Sequence, residues 1–546
     1  MDPSPPSPAP PSLNAYISSH LSSTLPGTHT FSLQSIRSQP RRSYALFPHA
    51  TNHKSAKIWQ EEVLSILSIS QTATSKENEQ EVVKGFVPLC AIEASIYTIP
   101  STSTSILYIS KVDTTGLQRP PTSPSSPSPT KSFVSAFLSY HFLFPPHSTT
   151  RLRVHVFARS QSQYLFPGSA DNTTSKRILS DKELSRWWKS TLESATLSYE
   201  SATRSRPLPT SSSSSTLKKF YLIPGLSYLE SLPYVPNLPT SSTSPWTYSH
   251  PYSTLPSPLF PPPSPPTINT SPPTDSELFS LPNQIPSFPD DPKSRFLHSL
   301  TSSSLSPSGS PGDYDDLHSQ LSSLTFTSGS NYTPQQRMVE VEKERERERE
   351  RLLKGVEGGT EEWWERMQFR QECCSGVLVG FFVVALEPTT TTRPSSISDV
   401  EQETTTTTTT TLMMKNHAPV PYPSSLPHST FTKLWTQFHN QDYSLPALSL
   451  LIPAIKKWTS DVTRLVKLEE EGQVGGEGKD VNEEVEMGCQ VRNENLLREL
   501  IEKREKKRRS AEGGVDGTAG GGLGGGGEGE GKKVNTLAPR KKKKVA

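Results

Sequence analysis

Two consecutive carboxylates, Asp290 and Asp291, stand in the segment FPDDPKSRF at 288–296. In extended chain, adjacent side chains point to opposite sides, so one can face a tunnel and the other the protein substrate. An acidic pair at a cavity mouth can accept or relay a proton, and it can hold a cationic group before reaction. Asp291 followed by Pro292 is equally the pattern of a helix N-cap with proline at the first helical position. Lys293, two residues on, reads by itself as a solvated helix lysine. A second constellation joins FARSQSQYLFP at 157–167, KRIL at 176–179 and the adjacent pair Trp187 and Trp188. Neighbouring helix positions point about 100° apart, so two tryptophans there need two apolar environments, one of which can be a cleft.

Other motifs carry less chemistry. QVGGEG at 473–478 matches a pyrophosphate-loop pattern, but its flanks, LEEEG and KDVNEE, supply neither the preceding strand nor the following helix that would aim N–H groups at phosphate. Gly531-Lys532-Lys533 lacks the Ser/Thr of a phosphate loop, and HExxH and GxSxG do not occur. The four cysteines, Cys90, Cys373, Cys374 and Cys489, form no CxxC pair, which argues against a zinc site and a disulfide scaffold. MDPSPPSPAPPS at the start has neither the basic nor the apolar region of a secretory signal. The longest strongly apolar run, 377–386, falls far below the ~20 residues that span a bilayer. A soluble protein of a reducing compartment is expected.

These residues must be positioned by a chain of unusual composition. Of 546 residues 52 are proline, about twice the usual share, and hydrophobic residues are only 32%. Tracts of Ser, Thr and Pro interrupt the pattern at about 119–130, 203–216, 239–273, 301–335 and 388–428. Such tracts favour solvated chain and read as disordered insertions in one domain at 13–468, because no intervening block is long enough to fold alone. Residues 1–12 and the Gly- and charge-rich 469–546 read as disordered ends. From 501 to 546 there are 13 Lys/Arg and 6 Asp/Glu, so this tail is +7 and the other 500 residues sum to −5. PRKKKK at 539–544 reads as a nuclear address or as a solubilising charge run.

Between the tracts, apolar periodicity predicts helices at 13–25, 132–144, 180–197, 292–300, 338–353 and 361–373, and two helical blocks within 431–468. It predicts strands at 82–100, 105–112, 151–159 and 375–386, with RLRVHVFAR at 151–159 the clearest alternation. Ser180 and Glu183 have capping-box spacing, which sets Leu184, Trp187 or Trp188, and Leu192 on one stripe. Interleaved helices and strands give an α/β or α+β class: a central mixed sheet surrounded by helices.

Taken in order, ISKVDTTG at 109–116, FARSQSQYLFP, KRIL with the Trp pair, FPDDPKSRF, WERMQFRQE at 364–372 and VNTLAPRKKKKVA at 534–546 resemble the fungal histone acetyltransferase family named for regulation of Ty transposition, a distant structural relative of the CBP-type enzymes. The resemblance spans most of 13–467 outside the tracts. It implies a single acetyltransferase domain that uses acetyl-CoA and no metal. It implies Val112, Asp113 and Thr114 at the acetyl-arm end, and Phe157, Gln161, Arg177, Ile178, Leu179 and Trp187 along the cofactor. Lys131 and Arg177, with Lys176, are the phosphate candidates. Trp188 and Tyr164 are implied at the lysine tunnel, Asp291 at proton transfer, Asp290 at substrate recognition, and Lys293 as an autoacetylated lysine. Gln161 departs from the alanine of the family's motif, and the stretch after Thr114 is rebuilt as a Pro/Ser tract.

The resemblance further implies histone H3–H4 as substrate, at a core-domain lysine near the DNA entry point and some tail lysines. Two chaperone partners are implied, the anti-silencing H3–H4 chaperone and a nucleosome-assembly-protein type. The setting would be the nucleus, in replication-coupled nucleosome assembly and the response to DNA damage. Neither a membrane nor sequence-specific nucleic acid is expected as a partner. The alternative is a non-enzymatic nuclear adapter or transcription regulator whose PxxP tracts bind SH3 or WW domains. An adapter has no reason to bring FPDDPK and the Trp pair to one cavity.

Overall fold

The computed structural model describes residues 10–48, 50, 56–74, 82–117, 128–205, 215–237, 242–260, 281–302, 343, 359–367, 369, 378–388, 417–474, 488–493 and, within 498–506, all but 500 and 504. Apart from Lys343, which is helical, the expected helix at 338–353 lies outside the described residues, as do most of the 301–335 and 388–428 tracts, the glycine motif beyond Val474 and the basic tail.

Residues up to 497 form one unit, and a second begins at Arg498, with helical residues at 498–499, 501–503 and 505–506. In the first, the strands are β1 (Gly27–Ser38), β2 (Arg41–Ser43), β3 (Ile58–Thr74), β4 (Val82–Ile99), β5 (Thr104–Thr114), β6 (Arg151–Ala158), β7 (Ser215–Leu222), β8 (Trp246–Tyr248), β9 (Gly380–Pro388), β10 (Ser425–Leu426) and β11 (Gly488–Asn493). They form one mixed sheet in the order β10-β1-β3-β4-β5-β6-β9-β7-β8, with β11 on β1 and β2 on β3. The helices are α1 (Leu13–Thr24), α2 (Pro129–Leu143), α3 (Asp181–Ser205), α4 (Tyr228–Ser231), α5 (Leu281–Gln284), α6 (Pro292–Ser302), α7 (Gly359–Met367), α8 (His428–His439) and α9 (Leu448–Val474).

The sheet is covered on both faces. Ile17 and Leu21 of α1, Phe133 and Phe137 of α2, and Trp188 and Leu192 of α3 pack on one face, against Phe31, Val63, Ile92 and Val154. On the other face Phe431, Leu434, Ile452 and Trp458 of α8 and α9 cover Ile36, Leu64, Val87 and Ala91. The mixed sheet with surrounding helices is the architecture expected.

The alternation in β6 has a different meaning from a half-solvated strand. Arg151, Arg153 and His155 are as buried as Leu152, Val154 and Val156. Arg151 Nε lies 2.9 Å from Glu387 Oε2, and Arg153 Nη2 lies 3.0 Å from Glu387 Oε1, so the guanidinium groups are paired across the β6–β9 ladder. Each also donates to a backbone carbonyl: Arg153 to Pro256 O at 2.6 Å and Arg151 to Phe260 O at 3.4 Å.

Those carbonyls belong to the tract expected to be an insertion at 239–273. Within it, residues 242–260 are part of the core. Trp246 to Tyr248 pair with β7, Tyr252, Leu255, Leu259 and Phe260 are buried, and Trp246 Nε1 donates to Glu193 at 2.8 Å. The other boundaries also shift: α3 runs to Ser205, β7 starts at Ser215, β10 lies at 425–426, and β11 places 488–493 on the sheet.

Candidate active site

β5 and β6 are parallel neighbours, but their pairing ends at Ile109 opposite Val156. Beyond it β5 continues to Thr114 on β4, while β6 continues to Ala158 on β9. Where parallel strands part at their C-terminal ends a crevice opens, the usual ligand position in such sheets. Here it is a cavity of about 1100 Å³. A bulge between Glu93 and Ala94 lies on its floor, where Ser110 Oγ donates to both the Glu93 carbonyl and Glu93 Oε1 at 2.9 Å.

One wall is apolar. It holds Val112, Phe157, Leu179 and Leu184, together with Trp187 and Trp188. The Trp187 and Trp188 rings meet edge to face with centroids 5.0 Å apart. Trp188 is 5% exposed and belongs to the core, whereas Trp187 is only partly buried, so one pair serves both environments. α3 holds them in register through the expected capping box: Ser180 N donates to Glu183 Oε2 at 3.0 Å, and Glu183 N to Ser180 Oγ at 3.4 Å. Arg159, Gln161, Arg177 and the exposed Ile178 form the rim. Arg177 is exposed and pairs with Glu183.

Behind this wall lies Asp113, which also reaches the cavity. Its carboxylate is buried and accepts from Thr114 N at 2.7 Å, Tyr164 N at 2.7 Å, Leu165 N at 2.9 Å and Lys176 Nζ at 3.0 Å. Thr114 and Tyr164 line the cavity, and the Tyr164 hydroxyl donates to the Arg159 carbonyl. Burial holds the Tyr164 phenol above its ordinary range.

The opposite wall was not legible as a site. Phe431, Thr432 and Trp435 of α8 line it, with His428, Glu62, Glu93, Lys111 and Arg41. Trp435 Nε1 donates to Glu93 Oε2 at 2.8 Å, and Lys111 Nζ lies 3.2 Å from Glu93 Oε1. α8 was expected as a helix, but its contribution comes from hundreds of residues away along the chain, and no local motif signals it.

The acidic pair divides. Asp290 is exposed, lines the cavity beside Pro289 and Arg295, and has φ 58°, a left-handed conformation that Asp tolerates better than most residues. Asp291 does not line it. It is fully buried, accepts from Lys293 N at 2.9 Å, and pairs with Lys293 Nζ. The expected cap at Asp291 is therefore present, whereas the expected extended loop is not: Asp290 turns left-handed, and Asp291 faces the protein interior, neither the cavity nor a substrate. Lys293 is buried rather than solvated, with Nζ 4.7 Å from the centre of the Phe381 ring.

Tyr108 stands between the two aspartates' surroundings. Its ring stacks on Phe288 with centroids 4.2 Å apart, and its hydroxyl donates to the Pro289 carbonyl at 3.3 Å. Burial, with the Asp291 charge second, raises its phenol well above the ordinary range. Burial, with Lys293 second, pushes the His155 imidazole well below its own.

Two lysines expected at the cofactor phosphates point their ammonium groups to protein partners. Lys131 does not line the cavity; its Nζ donates to Ser190 Oγ at 2.5 Å, linking α2 to α3. Lys176 lines the cavity, but its ammonium is turned inward to Asp113 and Ser169. Among the described residues no helix is long and apolar enough to cross a membrane, and no three His, Cys, Asp or Glu form a metal-binding group.

Pro289 and Asp290 of FPDDPK thus line one cavity with the Trp pair, an arrangement for which an adapter has no use. The donor set suits a long thioester cofactor: an apolar, aromatic wall for a flexible arm and rim guanidinium groups for phosphates.

The histone acetyltransferase KAT11-type domain family matches residues 17–142 and 123–444. A histone acetyltransferase rtt109 of Aspergillus flavus is 27% identical over 378 residues, covering 67% of this chain and 56% of that protein. A histone acetyltransferase rtt109 of Schizosaccharomyces pombe is 28% identical over 233 residues, covering 42% of this chain and 40% of that protein. The chain therefore spans about half the length of the curated relatives it matches. The crystal structure of Rtt109 from Aspergillus fumigatus superposes with a TM-score of 0.51 at 21% identity, covering 83% of this chain and 96% of that one, a likeness of fold.

Proposed function

The chain belongs to the histone acetyltransferase KAT11-type family, and we propose that it transfers acetyl from acetyl-CoA to histone lysines, with H3 in H3–H4 as the substrate. The observation that carries this is the placing of Asp290 and the Trp187–Trp188 wall in the same cavity. When bound, acetyl-CoA supplies the thioester carbonyl. Phe157, Leu179 and Trp187 would hold the pantetheine arm, and Arg159 and Arg177 its phosphates.

The acceptor amine must lose a proton, because free lysine has a pKa of ~10.4. Asp290 is the exposed carboxylate of the pair. It would meet the incoming ammonium, hold it, and pass its proton to water. Trp188 and Tyr164 would confine the lysine stem. Asp291 would act as a positioning residue: it caps α6 and fixes the turn that presents Asp290. Proton transfer, which the resemblance assigned to Asp291, is reassigned here to Asp290. Acetylation of Lys293 would remove the positive charge now paired with the buried Asp291, so the Asp291 carboxylate would then need another partner.

Action on a core-domain lysine near the DNA entry point, on some tail lysines, dependence on the anti-silencing and nucleosome-assembly-type chaperones, and a nuclear setting in replication-coupled assembly follow from the family alone. The test is acetyl transfer to recombinant H3–H4 with and without each chaperone, with modified lysines identified by mass spectrometry. Transfer that requires acetyl-CoA, is stimulated by a chaperone and is lost in Asp290→Asn is expected. No transfer under any of these conditions would remove the reading.

A further inference from the structure

Three segments that are separate in the chain meet at one buried carboxylate. Asp113, next to the end of β5, accepts from Thr114 N beside it, from Tyr164 and Leu165 N of the 159–167 loop, and from Lys176 Nζ of the 175–179 segment. Both charged side chains are only 4% exposed. Lys176 Nζ also donates to Ser169 Oγ at 2.7 Å, so its ammonium is directed into the protein.

The backbone of Lys176 is held independently. Lys176 N donates to the Asn172 carbonyl at 2.7 Å, and Ser175 Oγ donates to the Gly116 carbonyl. Gly116 has φ 67°, and a Cβ there would stand 2.6 Å from Lys176 Cα and 2.7 Å from its N. Only glycine allows so close an approach of two backbones. Asn172 Nδ2 in turn donates to Thr115 O at 2.8 Å. Immediately after Lys176 come Arg177, Ile178 and Leu179, all lining the cavity. A shift at residue 176 is therefore a shift of that wall.

We propose that the Asp113–Lys176 ion pair is the latch that positions the cofactor wall, with Lys176 a positioning residue that supports cofactor use without touching phosphate. This rests on the acetyl-CoA reading above. A lysine beside an arginine at a phosphate rim would ordinarily be taken for a second phosphate ligand. The inward ion pair makes the opposite expectation: removing the lysine harms binding of the arm, whether or not phosphates are attached.

The experiment compares acetyl-CoA with S-acetyl-pantetheine, which keeps the thioester and arm but lacks the nucleotide and its phosphates. Full-length wild type, Lys176→Met, Asp113→Asn and Arg177→Gln are assayed for KM, kcat and melting temperature. Lys176→Met and Asp113→Asn are expected to raise KM for both thioesters, S-acetyl-pantetheine by about tenfold and acetyl-CoA by at least as much, because the displaced segment carries Leu179 of the arm wall together with Arg177. Arg177→Gln is expected to raise KM for acetyl-CoA alone. If Lys176→Met does not fold, Lys176→Arg keeps a cation beside Asp113 in altered geometry and carries the same comparison. A KM increase confined to acetyl-CoA in the Lys176 variants makes the residue a phosphate ligand and overturns the proposal. Unchanged KM with a lower melting temperature reduces the pair to a stability element and also overturns it. Wild type that turns over acetyl-CoA while the variants behave in either of those ways leaves the cofactor reading standing. Wild type that uses neither thioester removes that reading and the latch together.

Discussion

Asp290 and Asp291 are adjacent in the chain yet occupy opposite environments: Asp290 is exposed in the cavity, and Asp291 is completely buried against Lys293. Asp290→Asn should leave the melting temperature nearly unchanged, since Asn also accepts left-handed backbone. It should lower kcat by about 10²- to 10⁴-fold, the range of general acid–base groups. Asp291→Asn removes the carboxylate from a buried ammonium and should cost about 3 kcal/mol of stability. Its activity should then follow the folded fraction. Kinetics and thermal melts on both variants check this, and full activity in Asp290→Asn refutes the assignment.

Trp187 and Trp188 should separate by readout. Trp187→Ala should raise the Kd for acetyl-CoA by about tenfold, the scale of ~1.4 kcal/mol, with a modest fall in melting temperature, because it removes exposed wall rather than core. Trp188→Ala should cost ~3–5 kcal/mol, the usual range for a buried tryptophan. The milder Trp188→Phe should stay folded, bind acetyl-CoA and lose transfer rate, as the acceptor stem is held less well. Calorimetric titration and melting curves separate the cases. Equal effects of both alanine variants on stability alone would make the pair simple core.

His250 gives a prediction in pH. Its ring packs near-parallel to Tyr252 and to Trp364, with Glu361 3.7 Å away, and burial pushes its pKa down to about 4. In unfolded chain the value is ~6.5, so between these limits the unfolded state binds more protons. Stability is therefore full above about pH 6.5 and falls as pH drops towards about 4, by up to about 3 kcal/mol from this residue. His250→Phe should flatten that slope in urea unfolding. A slope identical to wild type would show that other groups set it.

Deleting residues 242–260 should lower the melting temperature sharply, by more than 10 °C on the order of ~2 °C or more per kcal/mol. The deletion removes β8, the buried Tyr252, Leu255, Leu259 and Phe260, and the carbonyls that serve Arg151 and Arg153. Differential scanning calorimetry decides it. A change of only a few degrees would show that this stretch contributes little to the core.

What the sequence showed depended on how the burial is distributed along each element. β4, β5, β6 and β9 are rich in Val, Ile and Phe and could be read directly. β1 and β3 could not, since their Ser, Gln and Thr match the low-complexity background; yet Gln34, Ser65 and Ser68 are buried in them. β8 was hidden in a Pro/Ser tract because its three residues are held by pairing and by Glu193, not by their own composition. In the site, Trp187, Trp188, Phe157 and the acidic turn could be named from type and order. The division between Asp290 and Asp291, the inward turn of Lys176 and the wall from α8 depend on contacts between distant segments, for which local spacing holds no signal.

β9 lies between β6 and β7, hydrogen-bonded to both, although it follows them by a long stretch of chain. During synthesis both strands emerge first, each with an open edge facing the place where β9 will go. At roughly 5–20 residues per second, the ribosome needs on the order of ten seconds or more to deliver it. Until then Arg151 and Arg153 lack Glu387, and the sheet exists as two unsealed halves. The nascent chain should accordingly be a strong client of chaperones that shield exposed strand edges, and truncation before residue 380 should yield aggregates rather than a smaller folded domain.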